Sequence, residues 1–152
     1  MNRRGEIAMT AEEQATFLAQ SRTVILTTLD GRGYPHAVAM WFALIDGLVH
    51  MTTFRKAQKV VNIRRNPKVC LLAESGTDYS QLRGLMIRGI GDLVEDVELC
   101  AEILGQIHAK HYAPNDASAR DLLRRQAAKR VAIRIRPERV ASWDHSKLGG
   151  AH

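Results

Sequence analysis

Apolar and polar positions change period several times along this chain, and each change predicts an element boundary. Thr10, followed by Glu12 and Glu13, has the form of an N-cap with acids in the first turn. It opens a short helix to about Gln20, whose apolar contribution is Phe17 and Leu18. Arg22–Leu29 (RTVILTTL) is β-branched and lacks helical periodicity, which predicts a strand. The glycine-rich turn Asp30–Pro35 returns the chain as His36–Ile45 (HAVAMWFALI). Asp46-Gly47 returns it again as Leu48–Phe54 (LVHMTTF). Three strands joined by two tight turns predict an antiparallel meander.

A helical period follows, with Ala57, Val60, Val61 and Arg64 sharing one face. Asn66-Pro67 stops it, because the residue before proline is biased away from the α region. Lys68–Glu74 reads as a strand, and after the polar loop SGTDYSQ so does Leu82–Asp96, with Gly84, Gly89 and Gly91 marking bulges or bends. Val97–Tyr112 repeats apolar residues at helical spacing (Leu99, Ile103, Leu104, Ile107), and Asn115–Lys129 reads as a second helix. The final strand, Arg130–Trp143, puts Val131, Ile133 and Ile135 on one face. About six antiparallel strands with glycine bends predict a small barrel decorated by helices, which removes exposed edges. Tight hairpins cannot join parallel strands, which argues against a doubly wound fold.

Composition fits one globular domain spanning 1–152: 45% hydrophobic, 25% charged, with no linker or repeat. The net charge of +6 makes phosphorylated or polyanionic ligands plausible, without bearing on the fold. Cys70 and Cys100 form no disulfide framework or metal-ligand spacing, and Cys70, within an apolar run, is expected to be a buried thiol. The N-terminus lacks a signal-peptide core and no apolar run approaches the ~20 residues of a membrane span. The expected setting is the reducing cytoplasm, with no membrane partner.

Charge is not spread evenly. Thr52–Val69 carries six basic residues (Arg55, Lys56, Lys59, Arg64, Arg65, Lys68) and no acid. A strand ending in Thr52-Thr53 and running into a helix with Lys59 offers hydroxyls, free helix-start N–H groups and an ammonium to a phosphate. The plain alternative is a solvated basic helix face. Arg64 and Arg65 suit the helix C-terminus, where the dipole favours cations. Other chemistry is weakly signalled. Ser142, Asp144, His145 and Ser146 are sequence neighbours, which seldom build a triad. His108 and His111 lack a further paired ligand and read as solvent-facing. Nucleic-acid binding would want stacking aromatics among the basic residues, and only Phe54 is close.

The order of meander, Thr-Thr, basic helix, Asn-Pro and strand resembles the pyridoxamine 5'-phosphate oxidase-like family. The segments AMWFALIDG, RGLMIRGIG and SWDHSKLGG are most similar to its actinobacterial deazaflavin-dependent branch. The resemblance covers nearly the whole chain. It implies a six-stranded antiparallel split β-barrel with flanking helices that binds F420, or alternatively FMN. It further implies hydride transfer to an unsaturated small-molecule substrate, and a homodimer with the cofactor cleft at the subunit interface.

Residue by residue, the resemblance selects Lys59 for the cofactor phosphate, eight positions before Pro67, and Thr53 with Thr52 at the end of the preceding strand, while the surplus basic residues Arg55 and Lys56 would serve the deazaflavin's lactyl-glutamate tail. The strand Val38, Ala39, Met40, Trp41 and Phe42 would lie along the ring, with only one of Met40 and Trp41 facing inward. Trp143, Lys147 and the Gly149-Gly150 tail would reach a partner's site. The chain departs from the family's FMN oxidases at three places. Val38 replaces an arginine, Ala57-Gln58 replaces a Ser-Arg pair, and Gly84 replaces a ring-contacting glutamine. His36, His50, Tyr79 and His145 are proton-donor candidates by residue type. A non-enzymatic role, in cofactor storage or nucleic-acid binding, is the third class.

Overall fold

The computed structural model describes residues 3–149. Its sheet comprises β1 (Thr23–Leu29), β2 (Pro35–Trp41), β3 (Ala43–Ile45), β4 (Leu48–Phe54), β5 (Lys68–Ser75), β6 (Arg83–Val94) and β7 (Arg130–Asp144). The spatial order is β2-β1-β5-β6-β7-β4-β3, with every pairing antiparallel. The two strands at the ends of that order, β2 and β3, are separated in sequence by Phe42 alone. A sheet whose opposite edges are joined through one residue must curl back on itself. The result is the expected split barrel, with seven strands instead of six.

The additional strand arises because the second meander strand does not continue straight. Its first half pairs with β1 and its second half leaves to pair with β4. Phe42, fully buried at the bend, pins the corner into the core. Both predicted turns form, by different means. Asp30 accepts the backbone N–H groups of Arg32 and Tyr34 at 2.8 and 2.9 Å. Asp46 and Gly47 both take positive φ (54° and 76°), as a two-residue type I′ hairpin requires. The long β6–β7 ladder shifts register between Arg88 and Gly89, opposite Pro137. There a Cβ on Gly89 would lie 2.1 Å from the Arg136 carbonyl oxygen, so only glycine permits the approach.

Among the described residues, five α-helices surround the barrel: α1 (Arg3–Ile7), α2 (Ala11–Gln20), α3 (Gln58–Arg65), α4 (Val97–His111) and α5 (Ala117–Ala127). Thr10 caps α2 as expected, and the Glu13 side chain completes a capping box by accepting the Thr10 N–H. The barrel core gathers Leu26, Phe42, Met51, Leu71 and Ile133 among others. A second core lies under α4 and α5, around Cys100, Ile103, Ile107 and Ala132. None of the helices among the described residues is long and apolar enough to cross a membrane.

Two expectations change. The buried face of α3 is Val60, Asn62 and Ile63, while Val61 is half exposed. Asn62 can be fully buried because Gln58 donates to its Oδ1 at 2.8 Å and it donates to Thr28 Oγ1 at 3.0 Å. Periodicity could not anticipate a buried asparagine. Cys70 is only half-buried on the outer sheet face, and Cys100 is the fully buried thiol.

Candidate functional site

The bend at Phe42 opens the split. β2 pairs only with β1, and β3 covers β4 only from Leu48 to His50. The facing edges of β2 and of the end of β4 are therefore unpaired within the sheet. Beside them lies a cleft of about 700 Å³, with Ala39, Met40 and Trp41 on one side and Thr52 and Arg130 on another. α4 and α5 close the far wall through Ile107, Tyr112, Leu122 and Gln126. Unpaired strand edges supply backbone donors and acceptors in a plane, which suits a flat heterocycle with alternating polar groups.

Thr52 and Thr53 point to opposite faces of β4, and a cation reaches each. Thr53 shares the barrel-interior face with Met51, and Lys59 Nζ donates to its hydroxyl at 3.2 Å. Thr52 faces the cleft, and Arg130 donates to its hydroxyl at 3.3 Å while its guanidinium lies 4.6 Å from the Phe54 ring centroid. Burial, followed by the charge of Arg130, lowers the pKa of Lys59 below the ordinary lysine value. Among the described residues neither cation has a carboxylate within salt-bridge distance, and Arg130 Nε is buried without an acceptor. Each face of this strand end therefore presents a cation without a counter-charge among the described residues, ready for an anion of its own. A roomier hollow of about 840 Å³ beside α4 and α5 contains both signs of charge, including Glu98 on Arg124 at 2.8 Å, so it does not select an anion.

The aromatic wall was not legible in the sequence. Trp41 stacks on His111, with centroids 3.9 Å apart and planes 12° from parallel, and meets Tyr112 edge-on at 5.8 Å. The expectation of solvent-facing histidines therefore fails for His111. Its Nε2 is buried without a partner, and desolvation followed by the charge of Arg22 lowers its pKa. Arg130 was also missed as a site residue. Its only sequence signal was a place at the start of a strand, and its pairing opposite Phe54 is tertiary.

The remaining sequence candidates separate. Val38 and Met40 turn toward the barrel core, and Trp41 turns outward. Lys56 is exposed beyond the end of β4. Trp143 is directly opposite Gly84, where an added Cβ would fall 2.1 Å from its ring, and lines a different cavity with Met86 and Gln14. Lys147 donates to the Ala8 carbonyl at 3.0 Å and to Glu13 at 2.7 Å, tying the C-terminal turn to the N-terminal segment. Gly150 lies outside the described residues. The serine-histidine-aspartate neighbours also divide. Asp144 accepts from the Ser146 backbone and hydroxyl, His145 Nδ1 lies 2.9 Å from the Tyr79 carbonyl, and Ser142 accepts from Met9. His36, His50, Tyr79 and His145 do not line the cleft, whereas His108 does.

A family model described as pyridoxamine 5'-phosphate oxidase matches residues 10–144. The conserved hypothetical protein Rv2991 of Mycobacterium tuberculosis superposes with a TM-score of 0.93 at 38% identity, covering 98% of this chain and 93% of that one. An F420 reductase superposes at 0.65 with 28% identity, over 83% of this chain and 94% of its own. A FAD-binding protein of Mesorhizobium loti superposes at 0.65 with 19% identity, over 89% and 94% of the two chains, a likeness of fold alone. No curated protein sequence matches. With a split barrel, the matched family model and these neighbours in agreement, the chain belongs to the pyridoxamine 5'-phosphate oxidase-like family.

Proposed function

We propose that the protein binds coenzyme F420 in the split between β2 and β4 and serves a hydride transfer to an unsaturated small organic substrate. One observation carries this reading. Lys59, with no carboxylate at salt-bridge distance among the described residues, holds the Thr53 hydroxyl at the end of β4, where the strand edges bordering the split run unpaired. The donor set fits a planar heterocycle with a phosphorylated tail. Lys59, Thr53 and the start of α3, where Ala57 provides no side-chain cap, would hold the phosphate. The edge from Ala39 to Trp41 would support the ring. When bound, the deazaflavin supplies hydride chemistry, while the protein contributes orientation and a cleft walled by apolar helix residues.

FMN is the second reading, since the phosphate donors are common to both cofactors. Two structural features weigh against it. Val38 is half-buried against the barrel core, so no guanidinium reaches the ring from that position. Gly84 is covered by Trp143, so no glutamine side chain fits there. The 28% identity to an F420 reductase supports the deazaflavin. A homodimer is part of the proposal. The aligned row Ala39, Ile25, Leu72, Met86 and Ala141 runs across five strands on the outer sheet face, with Ile25 exposed, and a second copy would cover it. Fluorescence titration of the purified protein with F420 and with FMN is the test. Micromolar binding of F420 and weaker FMN binding are expected, and binding of neither overturns the proposal.

A further inference from the structure

The α4–α5 side of the cleft has a different character from the strand edges, and the proposed cofactor does not account for it. Trp41, Tyr112 and Leu122 are 41%, 70% and 49% exposed, yet all three line this one cleft. Trp41, Tyr112, His108 and His111 form one connected cluster of four rings here, in a chain that is only 5% Phe, Trp and Tyr. The His111 stack fixes the plane of Trp41, which makes it a standing platform. Polar groups lie at the barrel end of the same cleft: Gln126, and Arg130 with a buried Nε that lacks an acceptor.

We infer that this wall is a substrate site for planar, largely apolar ring compounds that carry a carboxylate or similar anionic group, the rings lying against Trp41, Tyr112 and Leu122 and the anion reaching Arg130. The inference rests on the proposed function for the cofactor's place in the split. Its chemistry is separate, because Lys59 and Thr53 serve the opposite face of β4. Ring faces and Leu122 reward a flat apolar body. Arg130 rewards a negative charge, because it is held over Phe54 with no carboxylate to neutralise it. His111 is a positioning residue that acts through Trp41.

The test uses 2-naphthoate and its neutral analogue 2-naphthylmethanol, titrated calorimetrically into protein saturated with whichever of F420 and FMN binds. The acid should bind about tenfold tighter than the alcohol, the worth of one charge-assisted contact. Arg130→Gln should abolish that difference. Tyr112→Ala combined with Leu122→Ser, titrated at full cofactor saturation, should weaken both ligands roughly fivefold or more with the circular dichroism melt unchanged. Equal binding of acid and alcohol overturns the inference, as does loss of naphthoate binding on cofactor saturation, which would make the wall part of the cofactor's own seat. Failure of both cofactors to bind overturns the proposed function instead. The same titrations on ligand-free protein then still decide the aromatic wall.

Discussion

Lys59 reaches back six residues to place its ammonium 3.2 Å from the Thr53 hydroxyl, at the point where β4 ends and α3 begins. The contact holds a charged group at the barrel mouth, partly desolvated and without a carboxylate. Replacing Lys59 with alanine should weaken cofactor binding by about 1.5–3 kcal/mol, the loss of one charge-assisted contact. Thr53→Val should cost about 0.5–1.5 kcal/mol. Fluorescence titration measures both, and an unchanged affinity for Lys59→Ala would remove it from the site.

The same lysine has a pH signature. Desolvation and Arg130 lower its pKa, so the fold disfavours its charged form. Its effect on the ligand-free protein therefore runs toward greater stability as pH rises and the ammonium loses its proton. A bound anion reverses that preference. Lys59→Met should not lower the melting temperature of the ligand-free protein, and anion affinity of the wild type should begin to fall at a pH below the ordinary lysine value of 10.5. A clear drop in melting temperature for Lys59→Met would contradict this account.

Asn62 and Thr28 form a buried hydrogen bond between α3 and β1. Asn62→Val should destabilise the protein by about 1–3 kcal/mol, because it leaves the Thr28 hydroxyl and Gln58 amide without this partner. The double variant with Thr28→Val should recover part of the loss. Chemical denaturation of the singles and the double closes the cycle, and strictly additive costs would show that the pair does not act together.

Trp143 occupies the space a side chain at position 84 would need. Gly84→Ala must push the indole aside and should cost about 1–3 kcal/mol as overpacking. A changed near-ultraviolet circular dichroism spectrum should accompany it. A normal spectrum with normal stability would mean that the indole is free to move.

Glu13 joins Thr10 and Lys147 in a clasp between the N-terminal segment and the C-terminal turn. The Lys147 hydrogen bond, followed by the Thr10 backbone, lowers its pKa from 4.5 to about 2. A depressed carboxylate pKa adds stability that is present above 4.5 and is lost as pH falls toward 2. Its carboxyl carbon, followed by NMR through an acid titration, should titrate near 2. In Lys147→Met the midpoint should move up toward 4.5. An unmoved midpoint would assign the shift to the Thr10 cap alone.

Local chemistry determined much of this molecule. Asp30 and Asp46-Gly47 specify their turns, the Thr10–Glu13 box specifies the start of α2, and alternation in Arg130–Ile135 specifies which residues enter the barrel. Each is settled within a few residues of chain, by hydrogen bonds and backbone angles that local sequence encodes. The resemblance drawn from short motifs reached the family, and four of the residues it selected, Ala39, Met40, Trp41 and Thr52, line one cleft, while Lys59 and Thr53 meet on the other face of β4. Only the tertiary structure decided that one bend at Phe42 turns a meander strand into both edges of a barrel. It alone placed Arg130 beside Thr52, stacked His111 on Trp41, and set Trp143 and Lys147 away from the cleft of their own chain. Those arrangements depend on strand pairing and helix packing between residues far apart in the chain, and neither hydrophobic period nor charge pattern encodes which distant partners will meet.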